Sequence, residues 1–263
     1  MRRTIEVWGA LFTQMLKVRL SYKGDFFAEL FATALGGVAS LAFVVLLFLR
    51  TDQLGGWSRE EILFVYGMSM MSYGLFGCVS INLFEFGDRY VIEGRFDRVL
   101  LRPVGTYSQV LFDNFRIPAL AESAIGLSVV LWSAAHLPVS FGLVDVLFAL
   151  AAILSGAVLF ISVFTMLASL SFHFEDRVGV SPPIFNMIAF GRYPQTIFPS
   201  ALRFLLRWVV PFGFVAFYPA QGLLGHRPYA ELVYLSPLVA LVFAFVASRL
   251  WKWGVRHYES TGS

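Results

Sequence analysis

Charged side chains suited to binding a soluble partner are concentrated in one run, Glu85 to Pro103, which reads EFGDRYVIEGRFDRVLLRP. Eight of its residues are charged, and it lies between two apolar stretches, 62–84 and 117–135. A charged segment held between two such stretches is expected at the membrane surface, where a membrane protein contacts soluble proteins. We therefore predict a protein-binding surface in this run.

Recognised catalytic and phosphate-binding motifs do not occur in the sequence. There is no Gly-Lys dipeptide, which excludes a P-loop for ATP, and there is no HExxH or GxSxG motif. The four histidines, at positions 136, 173, 226 and 257, lie at the ends of apolar stretches or in loops, without the spacing of metal ligands. We predict no catalytic residue, no metal site and no cofactor in this chain.

The composition indicates a polytopic membrane protein. Of the 263 residues, 58% are apolar and 14% are charged, whereas soluble domains average about 45–50% and about 25%. A helix needs about 20 apolar residues to cross about 30 Å of hydrocarbon, and several stretches meet that length. The predicted fold class is an all-α polytopic membrane protein that forms one transmembrane domain over residues 1–263.

Six membrane spans are predicted, at residues 27–49, 62–84, 117–135, 144–172, 178–190 and 232–253. The fifth is short. Ahead of the first span, the apolar residues from Ile5 to Leu20 recur at helical spacing opposite a basic, polar face, which predicts an interfacial amphipathic helix. In the first span, Ala32, Gly36 and Ser40 form a small-residue stripe that lets another helix approach closely.

The stretch 195–225 is apolar but contains Pro199, Pro211 and Pro219, so its backbone must bend where proline removes a donor. Bent helix at membrane depth is tolerated only where it is buried in protein or lines a wet cavity. We predict a re-entrant helical pair. If this stretch were a full span instead, the number of spans would become odd or 178–190 would stay outside the membrane.

The distribution of lysine and arginine predicts that both termini are cytoplasmic, because cytoplasmic loops carry the excess of these residues. This orientation places 14 of the 20 on the cytoplasmic side. The six on the outer side are Arg50, Arg59, Arg192, Arg203, Arg207 and Arg227.

Carboxylates at membrane depth are costly and usually face protein or water. Glu122 in the third span is a candidate residue of a substrate pathway, whereas Glu29 is expected to reach towards Lys23 or water. A helical extension is expected before the third span, where Asp113 and Arg116 are spaced to pair at i,i+3.

Arg203 and Arg207 lie four residues apart and therefore on one face of a helix. They are suited to anionic lipid headgroups or to an anionic group of a substrate, and the simpler interpretation of the pair is an anchor at the membrane interface.

The order of several short motifs resembles that of the membrane-spanning permeases of type-two ABC exporters. Within that class it is similar to the daunorubicin- and viologen-resistance-associated permease family. The similarity covers nearly the whole chain. The motif residues are Gly94, Asp97, Leu101, Arg102, Pro103, Val104, Tyr193, Pro194, Pro211, Pro219, Gly254, Tyr258 and Ser260.

The resemblance implies a coupling helix over Gly94 to Pro103 that enters a cleft of a separate ATPase subunit, which would bind ATP and Mg. The implied coupling residues are Gly94, Arg95, Phe96, Asp97, Arg98, Leu101, Arg102 and Pro103. The charged members, which are Arg95, Asp97, Arg98 and Arg102, would supply polar contacts. The apolar residues Phe96, Val99 and Leu100 would fill an apolar notch of the ATPase. The implied outer gate contains Tyr193, Pro194, Pro199, Pro211 and Pro219.

The implied divisions are an interfacial helix (1–24), spans one and two (25–84), a coupling-helix loop (85–106), spans three to five (107–190), an outer re-entrant gate (191–228) and span six with a cytoplasmic tail (229–263). The implied partners are ABC ATPase subunits, a second permease that is identical or paralogous, and membrane lipids, with no nucleic acid.

The expected function is that of a permease subunit that exports an apolar or amphiphilic substrate, such as a drug or a lipid, across the cytoplasmic (inner) membrane of a prokaryote. Transport would proceed by alternating access powered by the ATPase subunit. Two alternatives stay open at this point: a secondary transporter or channel that works alone, and a membrane scaffold that does not transport.

Overall fold

A computed structural model of the chain describes residues 23–174, 181–226 and 229–259. The interfacial helix predicted from Ile5 to Leu20 lies outside these ranges. Within them the chain forms helices and no strands. The α-helices, in chain order, are α1 (Lys23–Leu47), α2 (Arg59–Ser80), α3 (Arg95–Leu100), α4 (Thr106–Leu111), α5 (Leu120–His136), α6 (Leu143–Phe174), α7 (Ser181–Asn186), α8 (Ile188–Gly191), α9 (Ser200–Phe204), α10 (Phe217–Leu223) and α11 (Ser236–Arg256).

Five helices in the described ranges are long and apolar enough to cross a membrane. They are α1, α2, α5, α6 and α11, and they correspond to the first, second, third, fourth and last predicted spans. Short 3₁₀ or π-helical segments extend three of them: Ile81–Leu83 and Gly87–Ile92 follow α2, Ile117–Ala119 precedes α5, and Ala230–Leu235 precedes α11. The prediction of a polytopic helical membrane protein is therefore confirmed.

Glycines allow α2 and α5 to pack with their backbones in contact. A Cβ atom on Gly126 of α5 would lie 2.6 Å from the backbone oxygen of Gly67 in α2, and one on Gly74 would lie 2.7 Å from the backbone nitrogen of Ser123. These separations are too short for any side chain. The two helices are thus held together by the small-residue packing that is typical of membrane helices.

The small-residue stripe predicted on α1 is not the face that packs within this chain. Gly36 has open space around its Cα, whereas a Cβ on the next residue, Gly37, would contact Ile125 and Met70. Gly37 and Val44 are the buried residues of α1. The packed face of α1 is therefore rotated by one residue from the predicted stripe.

The predicted fifth span is not a continuous helix. Its described part consists of α7 and α8, which are interrupted at Met187 and end at Gly191. Pro194 disfavours helical backbone at the residue before it, so α8 stops just ahead of that proline. Phe185 of α7 packs against Phe84, which follows α2 just before the charged run, with ring centroids 4.7 Å apart.

The stretch 195–225 forms a bent pair of helical segments, as the prolines predicted. Ser200–Val209 and Phe212–Leu223 meet at an angle of 76°, and Pro211 lies at the break. By length and composition alone, such a pair is either a broken span or a re-entrant loop.

Both ends of the bent pair lie beside the loop that joins α1 to α2. Before the pair, Ile197 lies against Gly55. A Cβ atom added to Gly55 would be 2.5 Å from Cγ2 of Ile197. After the pair, the His226 ring stacks on Trp57 at 4.1 Å, and its Nε2 atom lies 2.8 Å from Oε1 of Glu61.

The bend itself lies against the middle of α6. Phe212 packs on Phe160 with ring centroids 5.1 Å apart, and a Cβ on Gly156 would lie 2.9 Å from Val215. The residues around the bend, including Phe212, Phe214 and Val215, are fully buried. The bend is therefore enclosed by protein, which is the condition under which broken helix is tolerated at membrane depth.

Candidate functional site

The charged run folds into a π-helical segment, Gly87–Ile92, and the short helix α3, with a sharp turn between them. Gly94 makes this turn with φ at 67°, a left-handed conformation that glycine adopts without steric cost. Any other residue at this position would be strained, which gives a physical reason for glycine at the start of the predicted coupling helix.

One face of α3 is anchored in the core of the chain itself. Phe96 is completely buried, and its ring lies 4.9 Å from Phe172 and 4.9 Å from Tyr258. Trp251 of α11 lies 6.1 Å away. Val99, one turn later, is also buried. The prediction that Phe96 and Val99 fill an apolar notch of another protein is therefore wrong, because intramolecular burial already satisfies them.

The sequence carries a signal for this inward face. Phe96 and Val99 are spaced i,i+3 and alternate with Arg95, Arg98 and Arg102, which is the pattern of a short amphipathic helix on a protein surface.

Asp97 connects α3 to the C-terminal segment. The hydroxyl group of Tyr258 donates a hydrogen bond to Oδ1 of Asp97 over 3.1 Å. Burial, together with the adjacent carboxylate, raises the pKa of Tyr258 to about 12. The hydroxyl therefore keeps its proton at physiological pH and remains a donor, so Asp97 is turned towards this chain.

The opposite face of α3 and the residues after it are exposed. Leu101 is 85% exposed, and Arg98, Arg102 and Pro103 are exposed as well. Arg95, also exposed, pairs with Glu93 at 2.7 Å. Of the predicted coupling residues, five therefore point away from the fold, while Phe96 is buried and Gly94 and Asp97 are half-buried.

A buried glutamine holds the end of α3 in place. Nε2 of Gln109 in α4 donates to the carbonyl oxygens of Val99 and Val104, over 3.1 Å and 2.6 Å. These bonds fix the backbone on both sides of Leu101, Arg102 and Pro103. The exposed residues thus project from a backbone that the fold holds rigidly.

The second polar feature is a buried ion pair between Glu122 of α5 and Arg192, which follows α8. Nη2 of Arg192 donates to Oε1 of Glu122 over 3.0 Å, and the two side chains are only 11% and 13% exposed. Nη1 of Arg192 donates to the hydroxyl group of Tyr66, and the guanidinium lies 5.1 Å from the ring centroid of Tyr73. The carboxylate singled out in the sequence is therefore paired with a buried cation.

A cavity of about 190 Å³ lies next to this ion pair. Its lining is mainly apolar and aromatic, with the guanidinium of Arg192 and the amide of Asn186 as polar groups. The lining residues are Tyr73, Phe185, Asn186, Ile188, Ala189 and Arg192. Sequence reasoning missed Arg192, although a carboxylate inside a predicted span already indicates that a cation must lie nearby.

The predicted outer-gate residues follow one another along the broken part of the chain. Tyr193 packs edge-on against Tyr66 at 5.9 Å, and Pro194 precedes the 3₁₀ segment Gln195–Ile197. Pro199 starts α9, Pro211 lies at the bend, and Pro219 lies in the first turns of α10. The prolines therefore mark starts and breaks of helices.

The charges before the third span are paired differently from the prediction. Arg116 forms a salt bridge with Glu29 of α1, and Asp113 accepts a hydrogen bond from Tyr90. Residues 112–116 form a turn instead of the predicted helical extension. Without helical spacing, Asp113 and Arg116 no longer share a face, so each pairs with a different element.

The described residues define a polytopic helical membrane protein with a rigidly anchored, charged segment at one end of its long helices. The chain matches the family model described as ABC-2 family transporter protein over residues 35–262, and it belongs to this family. It is thus a membrane transport component, consistent with the membrane subunit of an ABC exporter. No curated protein and no solved structure shows a significant match to the chain.

Proposed function

We propose that this chain is the permease subunit of an ATP-driven exporter and that α3 with the residues after it is the coupling helix. A separate ATPase subunit would bind ATP and Mg and receive this helix in a cleft. The observation that carries the proposal is the two-sided character of α3, with Phe96 anchored in the core and Arg98, Leu101 and Arg102 exposed. A helix of this kind can pass movement from a soluble partner to the membrane domain.

The anchoring contacts indicate which helices would respond to the ATPase. Phe96 packs on Phe172 near the end of α6 and on Trp251 near the end of α11. A displacement of α3 is therefore applied to two long helices at once. Rigid-body movement of packed helices is the usual basis of switching between two states, and it would alternate access from the cytoplasm to the outside.

For the topology we propose six crossings, with both termini in the cytoplasm of a prokaryote and the coupling helix on the same side. The broken segment from α7 to Ile197 serves as the fifth crossing, since Phe185 lies near the cytoplasmic end of α2 and Ile197 lies beside Gly55 at the other end. The bent pair then enters and leaves on the outer side, because both of its ends contact the α1–α2 loop. This arrangement supports a re-entrant outer gate.

The proposed substrate is apolar or amphiphilic, such as a drug or a lipid. The cavity beside Tyr73 and Arg192 supports this class, since its wall is mostly aromatic and aliphatic with a few polar groups. Glu122 contributes by holding Arg192 in place at the edge of the cavity. A second permease, identical or paralogous, would complete the transport pathway.

The proposal is tested by purifying the tagged chain from its native membrane in a mild detergent, with mass spectrometry of the retained proteins and an ATPase assay. We expect an ABC ATPase to be retained. The triple variant Arg98→Ala/Leu101→Ala/Arg102→Ala should retain at least about ten-fold less of it, because exposed anchor residues dominate interfaces.

The matched control is Lys252→Ala/Arg256→Ala, which removes two exposed cations at the same end of the molecule but outside the coupling helix. It should retain the ATPase. Normal recovery of the ATPase with the triple variant would contradict the coupling assignment. A chain that transports substrate without any ATPase would instead favour a secondary transporter or channel.

A further inference from the structure

Two arginines in the bent pair are held by aromatic rings and hydroxyl groups. Nη1 of Arg203 donates to the hydroxyl group of Tyr229 over 3.1 Å, and Nε of Arg207 donates to that of Tyr218 over 2.8 Å. The guanidinium of Arg207 also lies over the ring of Tyr229, 4.5 Å from its centroid. All of these partners are neutral.

In the described part of the chain, the ion pairs of the fold do not include Arg203 or Arg207. Arg192, a third arginine among the described residues of this broken region, is paired with a buried carboxylate. In addition, the Nε–H group of Arg203 is buried without an acceptor among the described residues. Two positive charges one helical turn apart are thus held by neutral groups, and no carboxylate among the described residues forms an ion pair with them.

A cavity of about 230 Å³ opens beside the two guanidinium groups. It is lined by Ser200, Arg203, Phe204, Arg207, Trp208 and Tyr229. The planar fork of arginine matches the oxygens of a phosphate group, and Ser200 adds a hydroxyl group that can donate to the same anion. The cavity is therefore equipped for a phosphate ester.

The wall of this cavity is also suited to an apolar body attached to the anion. Phe204 and Trp208 are 61% and 54% exposed, and they lie four residues apart on the same helical segment as the arginines. Tryptophan is enriched at the headgroup level of membranes, where one side is apolar and the other is wet. A lipid presents this combination of an anionic headgroup and an adjoining acyl chain.

We propose that Arg203 and Arg207 form a binding site for a phosphate ester whose net charge is negative. The source of the phosphate is either the headgroup of a membrane lipid or a free phosphate compound that reaches the cavity. In the topology proposed above, the site lies on the outer side of the membrane, beside the bent pair. The binding step itself depends on neither transport nor an ATPase, so it can be tested separately from the proposed function.

The test uses the full chain reconstituted in vesicles and the fluorescence of Trp208, taken as the difference between the wild type and Trp208→Phe. Brominated acyl chains quench tryptophan on contact. We expect brominated phosphatidylglycerol to quench Trp208 at a lower mole fraction than brominated phosphatidylcholine. The preference is the ratio of the mole fractions of the two lipids that give half-maximal quenching. Since each basic residue near an anionic surface contributes about 1 kcal/mol, this ratio should fall roughly five-fold in Arg203→Gln and by about 25-fold when both arginines are replaced.

The matched control is Arg50→Gln, which removes an exposed cation from the α1–α2 loop on the same side of the fold. It should keep the preference. The double variant Arg203→Lys/Arg207→Lys keeps both charges but loses the planar fork, so it should keep only part of the preference for phosphatidylglycerol. If the glutamine double variant fails to insert, the single variant Arg203→Gln and the lysine double variant carry the test, and an unchanged preference in both would overturn the proposal.

Competition with inorganic phosphate identifies the source of the anion. Millimolar phosphate that leaves the quenching unchanged supports a lipid headgroup, whereas phosphate that relieves it supports a free phosphate compound. Equal quenching of the wild type by the two brominated lipids would overturn the proposal. A preference that survives the double glutamine substitution would overturn it as well.

Discussion

Replacing Phe96 with alanine should detach α3 from the membrane domain without altering its exposed surface. Phe96 is completely buried and contacts four aromatic rings, those of Phe86, Phe172, Trp251 and Tyr258. Truncation of a buried phenylalanine to alanine costs about 3–5 kcal/mol. Because each 1.4 kcal/mol is about ten-fold in an equilibrium constant, local opening of α3 should become more frequent by a factor of at least about 100.

Hydrogen exchange of the purified permease, in the absence of any ATPase, measures this opening directly, since amide exchange reports local unfolding. The amides of α3 should exchange faster in Phe96→Ala, while those in the middle of α6 should change little. Leu101→Ala is the matched control, because Leu101 is 85% exposed and its removal should leave exchange unchanged. Both variants should weaken retention of the ATPase. Phe96→Ala acts because α3 is no longer held in position, and Leu101→Ala acts because an exposed side chain that would contact the ATPase is removed.

One combination of results would contradict the inward orientation of Phe96. If Phe96→Ala left the exchange of α3 unchanged in the isolated permease and yet abolished retention of the ATPase, Phe96 would be a direct contact of the partner. The inward orientation of this ring would then be wrong for the functional state.

Three further predictions concern the buried contacts. Glu122→Gln or Arg192→Gln leaves one charge of the buried pair uncompensated, so each should lower the free energy of unfolding by about 3–5 kcal/mol. The double variant should lose less than the sum of the two. Additive losses, measured by thermal unfolding of the single and double variants, would argue against the pairing. Gly126→Ala should lower the free energy of unfolding by about 1–3 kcal/mol, because the added methyl group overpacks α2 against α5. Gly36→Ala is the control, since Gly36 has open space around it, and it should not destabilise the chain. Equal thermal-unfolding midpoints for the two variants would count against the close packing. Because the pKa of Tyr258 is raised from 10.0 to about 12, the anchor at Asp97 should be constant below pH 10 and be lost as the pH rises towards 12; an ultraviolet titration of wild type minus Tyr258→Phe with its midpoint near 10 would contradict this.

The membrane-spanning architecture could be predicted because it depends on local composition. Five long apolar stretches became five long helices, since a stretch of about 20 apolar residues has few alternatives to a spanning helix. The break in the bent pair could also be predicted, because Pro211 removes a backbone donor wherever the chain is placed.

The interior of the site depends on contacts between distant parts of the chain, and here the sequence was less informative. Arg192 was assigned to the outer side by counting charges, whereas it lies buried against Glu122, 70 residues earlier. The inward face of α3 likewise depends on Phe172 and Trp251, which belong to other helices. The break at Met187 has no signal in the 13-residue apolar stretch, which could not be distinguished from a short continuous span.

The two elements proposed to be functional, α3 and the bent pair, both contact one continuous helix, α6. Near its end, α6 contacts α3 through Phe172, and in its middle it contacts the bend of the outer pair through Phe160 and Phe212. Phe160 and Phe172 are 12 residues apart, which corresponds to about 18 Å along a helix. A helix that packs along its length moves as a unit, so a displacement of α3 need not pass through a chain of flexible side chains to reach the bend. If α3 is the coupling helix, as proposed, its movement and that of the bent pair should be linked chiefly through α6.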